Sequence, residues 1–283
     1  MPDWDLIVIG DLKTPSDYKL ARGRYVEPQE QQSYDKALSD AIGWNCIQRR
    51  NIGIALAYEA GADIVAVVDD DNIPLDGWGE NLLVGTSCEV NYYRSSLGAF
   101  DPVGATNYPH LWHRGYPLEL LPRRDYSQRS TEFIKVDIQA DFWNGDPDID
   151  AICRLEHAPN CNFEPDFFPI ASNELAPFNS QNTFLSRDVL KHYFLYPYVG
   201  RMDDIWAAYY VQSLGYNVAF SAASVFQERN VHDLLKDMQN EIIGYMNNLA
   251  LVNDLKSDPS SIVSYLPGKA IRAWDLYRMH FND

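Results

Sequence analysis

The chain has 283 residues, 46% of them hydrophobic, enough for one large α/β domain or two small ones. Its formal net charge is -17, from 23 Lys and Arg against 40 Asp and Glu. That balance argues against a nucleic-acid binder or an anionic membrane surface, which both call for a basic face. A nucleotide ligand stays compatible, because a metal can supply positive charge locally.

Residues 4–10, WDLIVIG, predict a first strand ending at Gly10-Asp11, and the N-terminus lacks the basic and long apolar regions of a signal peptide. A glycine and polar residues after a strand suit contact with a nucleotide base or ribose. Residues 16–43 are polar, with little periodicity, and read as a loop with short helical pieces. Residues 44–60 predict a helix: Ile47, Ile54, Ala55 and Tyr58 form one stripe, and Gly61 is a natural stop. Arg49 and Arg50 lie on its first half, as an exposed basic pair or as partners of carboxylates or a diphosphate.

The run Ile64-Val65-Ala66-Val67-Val68 reads as a strand buried on both faces. Asp69-Asp70-Asp71 and Asn72 close it. Carboxylates cannot be buried unpaired without a cost of several kcal/mol each, so they belong at the strand's C-terminal mouth, where open α/β sheets bind ligands. Alternate residues of an extended segment point the same way. Asp69 and Asp71 can therefore converge on Mg2+ or Mn2+ while Asp70 faces away. The plainer alternative is an acidic turn before Pro74 and Gly77.

Residues 80–105 show no clear period. Residues 106–124, TNYPHLWHRGYPLELLPRR, read either as an irregular surface loop or as a sugar-facing aromatic platform beside Arg114. Residues 133–143 are strand-like. The acidic turn NGDPDID follows, as solvated turn charge or as a catalytic carboxylate. FNSQNTF (178–184), which includes Asn182, suits sugar hydroxyls or a structural turn. GRMDDIW leads into a helix ending at Gly215, with Asp203 or Asp204 as its N-cap and the other left for another task. A strand over 216–222, a long amphipathic helix over 232–255 with His232 near its start, and a terminal helix over 267–281 complete the chain. Cys46, Cys88, Cys153 and Cys161 match no zinc pattern and are expected as free thiols. No apolar run approaches the roughly 20 residues of a membrane span, so a soluble, cytoplasmic protein is expected.

Six motifs occur in order: RRNIG, VVDDDN, RGYPLEL, NGDPDIDAI, FNSQNTF and GRMDDIWAAYYVQ. Together they resemble the plant reversibly glycosylated polypeptides, or UDP-arabinopyranose mutases, and the related STELLO-type glycosyltransferase domain, over most of residues 5–235. The resemblance implies a GT-A-like α/β fold, with a mixed, mostly parallel central sheet flanked by helices. It implies one catalytic domain over 1–283: a nucleotide-binding half to about residue 105, an acceptor or sugar half over about 106–230, and C-terminal helices over 231–283. By that similarity Asp69 and Asp71 hold a divalent metal on the diphosphate of a nucleotide sugar, expected to be a UDP-sugar, and His232 sits where a C-terminal metal ligand falls. Gly10, Asp11 and Arg50 lie near the nucleotide by the same similarity, and Arg49, Asp70 and Asn182 are further candidates for binding the nucleotide sugar. Asp203 and Asp204 match an acceptor-side acidic pair, and Arg114 falls on the arginine that carries the sugar in the reversibly glycosylated polypeptides.

Three functions compete on these residues. The first is a metal-dependent glycosyltransferase acting on a glycan or protein acceptor. The second is a UDP-sugar mutase with reversible self-glycosylation at Arg114. The third is a nucleotide-sugar-binding scaffold without turnover, which has no need of an acceptor-side acid. Each is compatible with a homo-oligomer.

Overall fold

The computed structural model of the chain describes residues 4–228 and 233–281. The strands of its first half are β1 (Ile7–Ile9), β2 (Arg24–Val26), β3 (Ile64–Val68), β4 (Asn72–Pro74) and β5 (Ser87–Tyr93). Those of the second half are β6 (Arg129–Lys135), β7 (Ile138–Gly145), β8 (Ile170–Ser172), β9 (Asn182–Ser186) and β10 (Val218–Gln227). β1 and β2 pair in parallel as a small sheet of their own. The main sheet runs β3-β9-β7-β10-β8-β5-β6, with β4 paired to the end of β10. Helices flank it: α1 (Pro28–Tyr34), α2 (Lys36–Ile42), α3 (Arg50–Glu59), α4 (Ala151–His157), α5 (Arg187–Leu190), α6 (Asp203–Ser213), α7 (Leu234–Ser257) and α8 (Gly268–Arg278).

The class is the expected mixed α/β sheet covered by helices. Its ladders run both ways: β7–β10 and β5–β8 are parallel, whereas β3–β9, β7–β9, β8–β10, β5–β6 and β4–β10 are antiparallel. Residue type marks a strand but not its direction, and antiparallel neighbours need no crossover helix. β9 runs against both β3 and β7, and β10 runs with β7. The C-terminal ends of β3, β7 and β10 and the N-terminal end of β9 therefore share one edge of the sheet. Asp69, Asp146, Gln181 and Glu228 adjoin these four strand ends.

β7 is central, and only Asn144 among its residues is not fully buried. β3 is the terminal strand of the main sheet and only Val67 in it is fully buried, so the expectation of burial on both faces is corrected. At the far end of β7, Gly145 (φ 88°) lies opposite Gln227, and a Cβ there would come within 2.4 Å of the Gln227 carbonyl oxygen. Only glycine permits that backbone approach.

α3 buries Ile52, Ile54, Ala55 and Leu56 and ends just before Gly61, whose φ of 86° suits a helix stop. α6 is buried continuously from Asp203 to Val211, as befits a helix under other elements on all sides. Its Trp206 indole donates to Asn248 Oδ1 of α7 at 2.8 Å. The polar stretch 16–43 holds β2, α1 and α2, more regular structure than its weak period suggested. The strand expected over 133–143 is two strands, parted at Val136-Asp137. The middle of the aromatic stretch is not a surface loop: Leu111, Trp112, His113, Arg114 and Tyr116 are all buried. All four cysteines are free thiols. Among the described residues no helix is long and apolar enough to cross a membrane.

Candidate active site

A cleft of about 240 Å³ opens at the shared sheet edge, lined by Asp69, Asp71, Gln181 and Gln227 from the strand ends and by Arg114, Arg201, Asp203 and Asp204 from the other side. Alternation along an extended segment puts Asp69 and Asp71 on one face and Asp70 away from it. Both do line the cleft, and Asp70 is exposed outside it.

At the strand end, Arg50 pairs with Asp69 and also donates to the carbonyl and hydroxyl oxygens of Ser180 at 3.0 and 3.2 Å. Burial lowers the Arg50 pKa, but the Asp69 carboxylate beside it wins and holds it above its ordinary value. The Asp69 amide donates to the Gln181 carbonyl at 3.1 Å, which fixes the turn against β9. Beside this turn, Asn72 pairs with Gln227 across β4 and β10. Asn72 Oδ1 and Gln227 Oε1 are both buried without a hydrogen-bond partner among the described residues. Buried acceptors left this way are unusual and point to a group that the protein itself does not supply.

Could this end hold a metal? Two carboxylates and a spare amide oxygen form an all-oxygen donor set, which suits Mg2+ or Mn2+. Among the described residues no three His, Cys, Asp or Glu side chains form a closed metal cage. A cation bound here would have to take its other ligands from phosphate and water, the usual habit of Mg2+. His232 lies outside the described residues.

At the other end the acids are closed in. Arg114 donates through Nε and Nη2 to Asp148 at 2.9–3.1 Å and through Nη1 and Nη2 to Asp204 at 3.1 and 3.2 Å. Its Nη1 also reaches the Arg201 carbonyl. All five N–H donors of a guanidinium are thereby engaged. Burial lowers the Arg114 pKa, but Asp148 and Asp204 together drive it well above the ordinary value. Asp204 also accepts from the Ser180 amide at 3.0 Å and hydroxyl at 3.2 Å. Asp203 accepts from Gln48 Nε2 at 2.7 Å. Burial, then the neighbouring Asp204 charge, push the Asp203 carboxyl upward. Neither acid caps α6: they are its first two residues, and no side chain caps that helix. The expected N-cap gives way because both carboxylates are bonded elsewhere.

Several of the residues expected near the nucleotide sugar are engaged within the protein. Arg49 is buried away from the cleft, donating to Gln31, Ser39 and Gly43 and stacked 3.7 Å from the Trp44 ring centre. Asp11 accepts the amides of Asn45 and Cys46 at 2.8 and 3.0 Å, which ties the end of β1 to the approach to α3. Gly10 packs against Tyr25, whose hydroxyl would lie 2.2 Å from an added Cβ. Asn182 accepts from the Trp78 indole at 2.9 Å and donates to Phe142 and Ser224. In FNSQNTF the polar side chains of Asn179 and Ser180 serve protein carboxylates, Asp148 and Asp204.

Sequence reasoning did not single out Gln48, Asp148, Ser180, Gln181, Arg201 or Gln227. Asp148 lies inside the acidic turn that was noticed as a cluster. Arg201 adjoins the acidic pair and bridges to α7 through Asp237 at 3.2 Å and Glu241 at 2.9 Å. Ser180 and Gln181 lie inside FNSQNTF, already marked as an amide-rich run, whereas Gln48 and Gln227 carried no local signal.

No protein-family model matches the chain. It is similar to two proteins of Arabidopsis thaliana. It is 24% identical to "Probable glycosyltransferase STELLO2" over 186 residues, which is 62% of this chain and 24% of that protein. It is 24% identical to "Probable glycosyltransferase STELLO1" over 161 residues, or 53% of this chain and 21% of that protein. The chain thus matches less than a quarter of the length of each relative. The mixed α/β sheet, the acidic cleft at its edge and this similarity together support a distant relationship to the STELLO-type glycosyltransferases.

Proposed function

We propose that the chain is a glycosyltransferase domain that takes a nucleotide sugar, a UDP-sugar first among candidates, and cleaves its sugar–phosphate bond. The observation that carries this reading is one cleft holding Asp69 and Asp71 at a strand mouth together with the buried Asp203–Asp204 pair. A binding scaffold has no need of the second pair. The STELLO similarity gives the reading its reaction class.

Asp69, Asp71 and Gln227 would hold Mg2+ or Mn2+, which when bound offsets charge developing on the leaving diphosphate. Arg50 adds fixed positive charge at the same end, already oriented by Asp69 and Ser180. Asp203, with its pKa raised and Gln48 fixing its orientation, is the carboxyl suited to take a proton from an acceptor hydroxyl of a glycan or protein. Asp204 and Arg114 position that helix end, since each is already bonded on several sides. A fully paired, strongly basic guanidinium is a poor nucleophile, which favours transfer to an outside acceptor over sugar carriage on Arg114.

The test incubates the chain with a panel of UDP-sugars and Mn2+, with and without candidate acceptors. Acceptor-dependent release of UDP supports the proposal. A ring-isomerised UDP-sugar without UDP release indicates a mutase, and tight binding with neither indicates a scaffold. Calorimetry on Asp71→Ala should show Mn2+-dependent UDP affinity falling roughly tenfold or more, with the fold intact by circular dichroism. An unchanged affinity removes the metal assignment.

A further inference from the structure

A second concavity lies away from the acidic cleft. It is a groove of about 510 Å³ between α2 and α8, lined by Lys36, Asp40, Tyr198, Lys269 and Arg272 among others. In a chain with net charge -17, three cations face this groove against one carboxylate. Lys36 and Asp40 satisfy each other at 2.6 Å. Lys269 and Arg272 are exposed, one helical turn apart on α8, and neither has an acidic partner among the described residues. Lys269 and Arg272 therefore leave the groove locally positive in an acidic protein, a field complementary to an anionic ligand.

Tyr198 narrows the ligand further. Its hydroxyl donates to the Ala41 carbonyl at 2.9 Å, which fixes the ring over the end of α2. Half of the residue remains exposed, and Lys269 Nζ stands 5.7 Å from the ring centre. Its backbone is left-handed, with φ 69°. That conformation costs a bulky residue about 1–2 kcal/mol and persists only where the surroundings impose it. A tethered, half-exposed aromatic face beside free cations matches an amphipathic anion: C–H groups on the ring, charge on Lys269 and Arg272.

We propose that this groove binds a saccharide carrying a carboxylate, sulfate or phosphate, its sugar ring on Tyr198 and its anionic group on Lys269 and Arg272. Tyr198 shares a short segment with Gly200 and Arg201, which line the acidic cleft, so the two sites are joined by one stretch of chain. The inference stands on the groove's own residues and holds whichever nucleotide the cleft takes.

Calorimetry on the full chain with glucuronic acid, glucose 6-phosphate, glucose and inorganic phosphate tests it, and adding sulfated and uronate oligosaccharides separates a small-molecule source from a polymeric one. The charged sugars should bind and neutral glucose should not. The double variant Lys269→Ala/Arg272→Ala should weaken binding roughly tenfold or more, while UDP affinity at the cleft stays as in the parent. Tyr198→Ala should weaken the charged sugars but not inorganic phosphate. Charged-sugar binding that survives the double variant, or that saturating UDP abolishes by competition, overturns the proposal. Equal affinity for phosphate and glucose 6-phosphate overturns the saccharide assignment.

Discussion

At one end of the cleft, Asp69 and Asp71 stand half-buried at a strand mouth, with Arg50 against Asp69. At the other, Asp148, Asp203 and Asp204 are buried among Arg114, Ser180 and Gln48. The residue types are the same, but the desolvation differs. A carboxylate kept near water retains coordination capacity for a ligand, whereas one taken fully inside has to be bonded by its own protein. The open end is thus equipped to exchange partners, while at the closed end Asp148 and Asp204 hold geometry around Asp203, the acid facing the cleft with a raised pKa.

The sharpest test of that contrast is Arg114→Ala. It takes the guanidinium away from Asp148 and Asp204, which are 0% and 3% exposed. Removing one partner of such a buried network costs about 3–5 kcal/mol, to be read from urea denaturation. A loss below about 1 kcal/mol would mean that water reaches these acids and that the two ends are alike.

Next comes Asp141 on β7, inside the sheet below the cleft. Burial raises its carboxyl from 3.8 to about 6, although Ser224 and Gln139 donate to it. The folded state therefore prefers the protonated form. The stability it contributes is fully present below about pH 4 and is lost as pH rises through about 6. At about 1.4 kcal/mol per pH unit this amounts to about 3 kcal/mol. Asp141→Asn cannot titrate, keeps one oxygen to accept from Gln139 and reverses the Ser224 bond so that its amide donates, and it should flatten that part of the pH–stability curve measured by thermal unfolding.

Arg49 and Arg50 carry the comparison into two adjacent residues. Arg49→Ala removes a buried donor from Gln31, Ser39 and Gly43 and should cost about 2 kcal/mol with UDP affinity unchanged. Arg50→Ala should instead weaken UDP roughly tenfold, by calorimetry. The smallest effect belongs to exposed Asp70. Asp70→Ala should leave stability within about 0.5 kcal/mol and nucleotide affinity unaltered. A large loss of affinity there would put the nucleotide on the outer face of the turn.

The strand before the acidic triplet was legible because five apolar residues followed by three acids have few ways to fold. The long C-terminal helices were legible through their spacing, and α7 and α8 lie close to where that spacing put them. The division of labour between Arg49 and Arg50 was not, since a helical period separates neighbours without saying which one faces the sheet. Asn182 looked like a sugar contact because an amide is equally good at bonding a main-chain carbonyl. The Arg114 network was invisible because its partners lie 34 and 90 residues away along the chain. Gln48 and Gln227 carry no charge or motif to mark them, and only the assembled fold brings Gln48 to Asp203 and Gln227 to the cleft.

The contact of Gly145 with the Gln227 carbonyl has a bearing on how such a site can diversify. Beside the cleft, where β7 ends against β10, main chain meets main chain at Gly145 and Gln227, with the Phe226 ring packed on the same point. Any added carbon at residue 145 pushes the end of β10 outward and takes Gln227 with it. A change of ligand preference therefore has to be written in the walls, at Gln181, Arg201 and their loops, over a base that tolerates no editing.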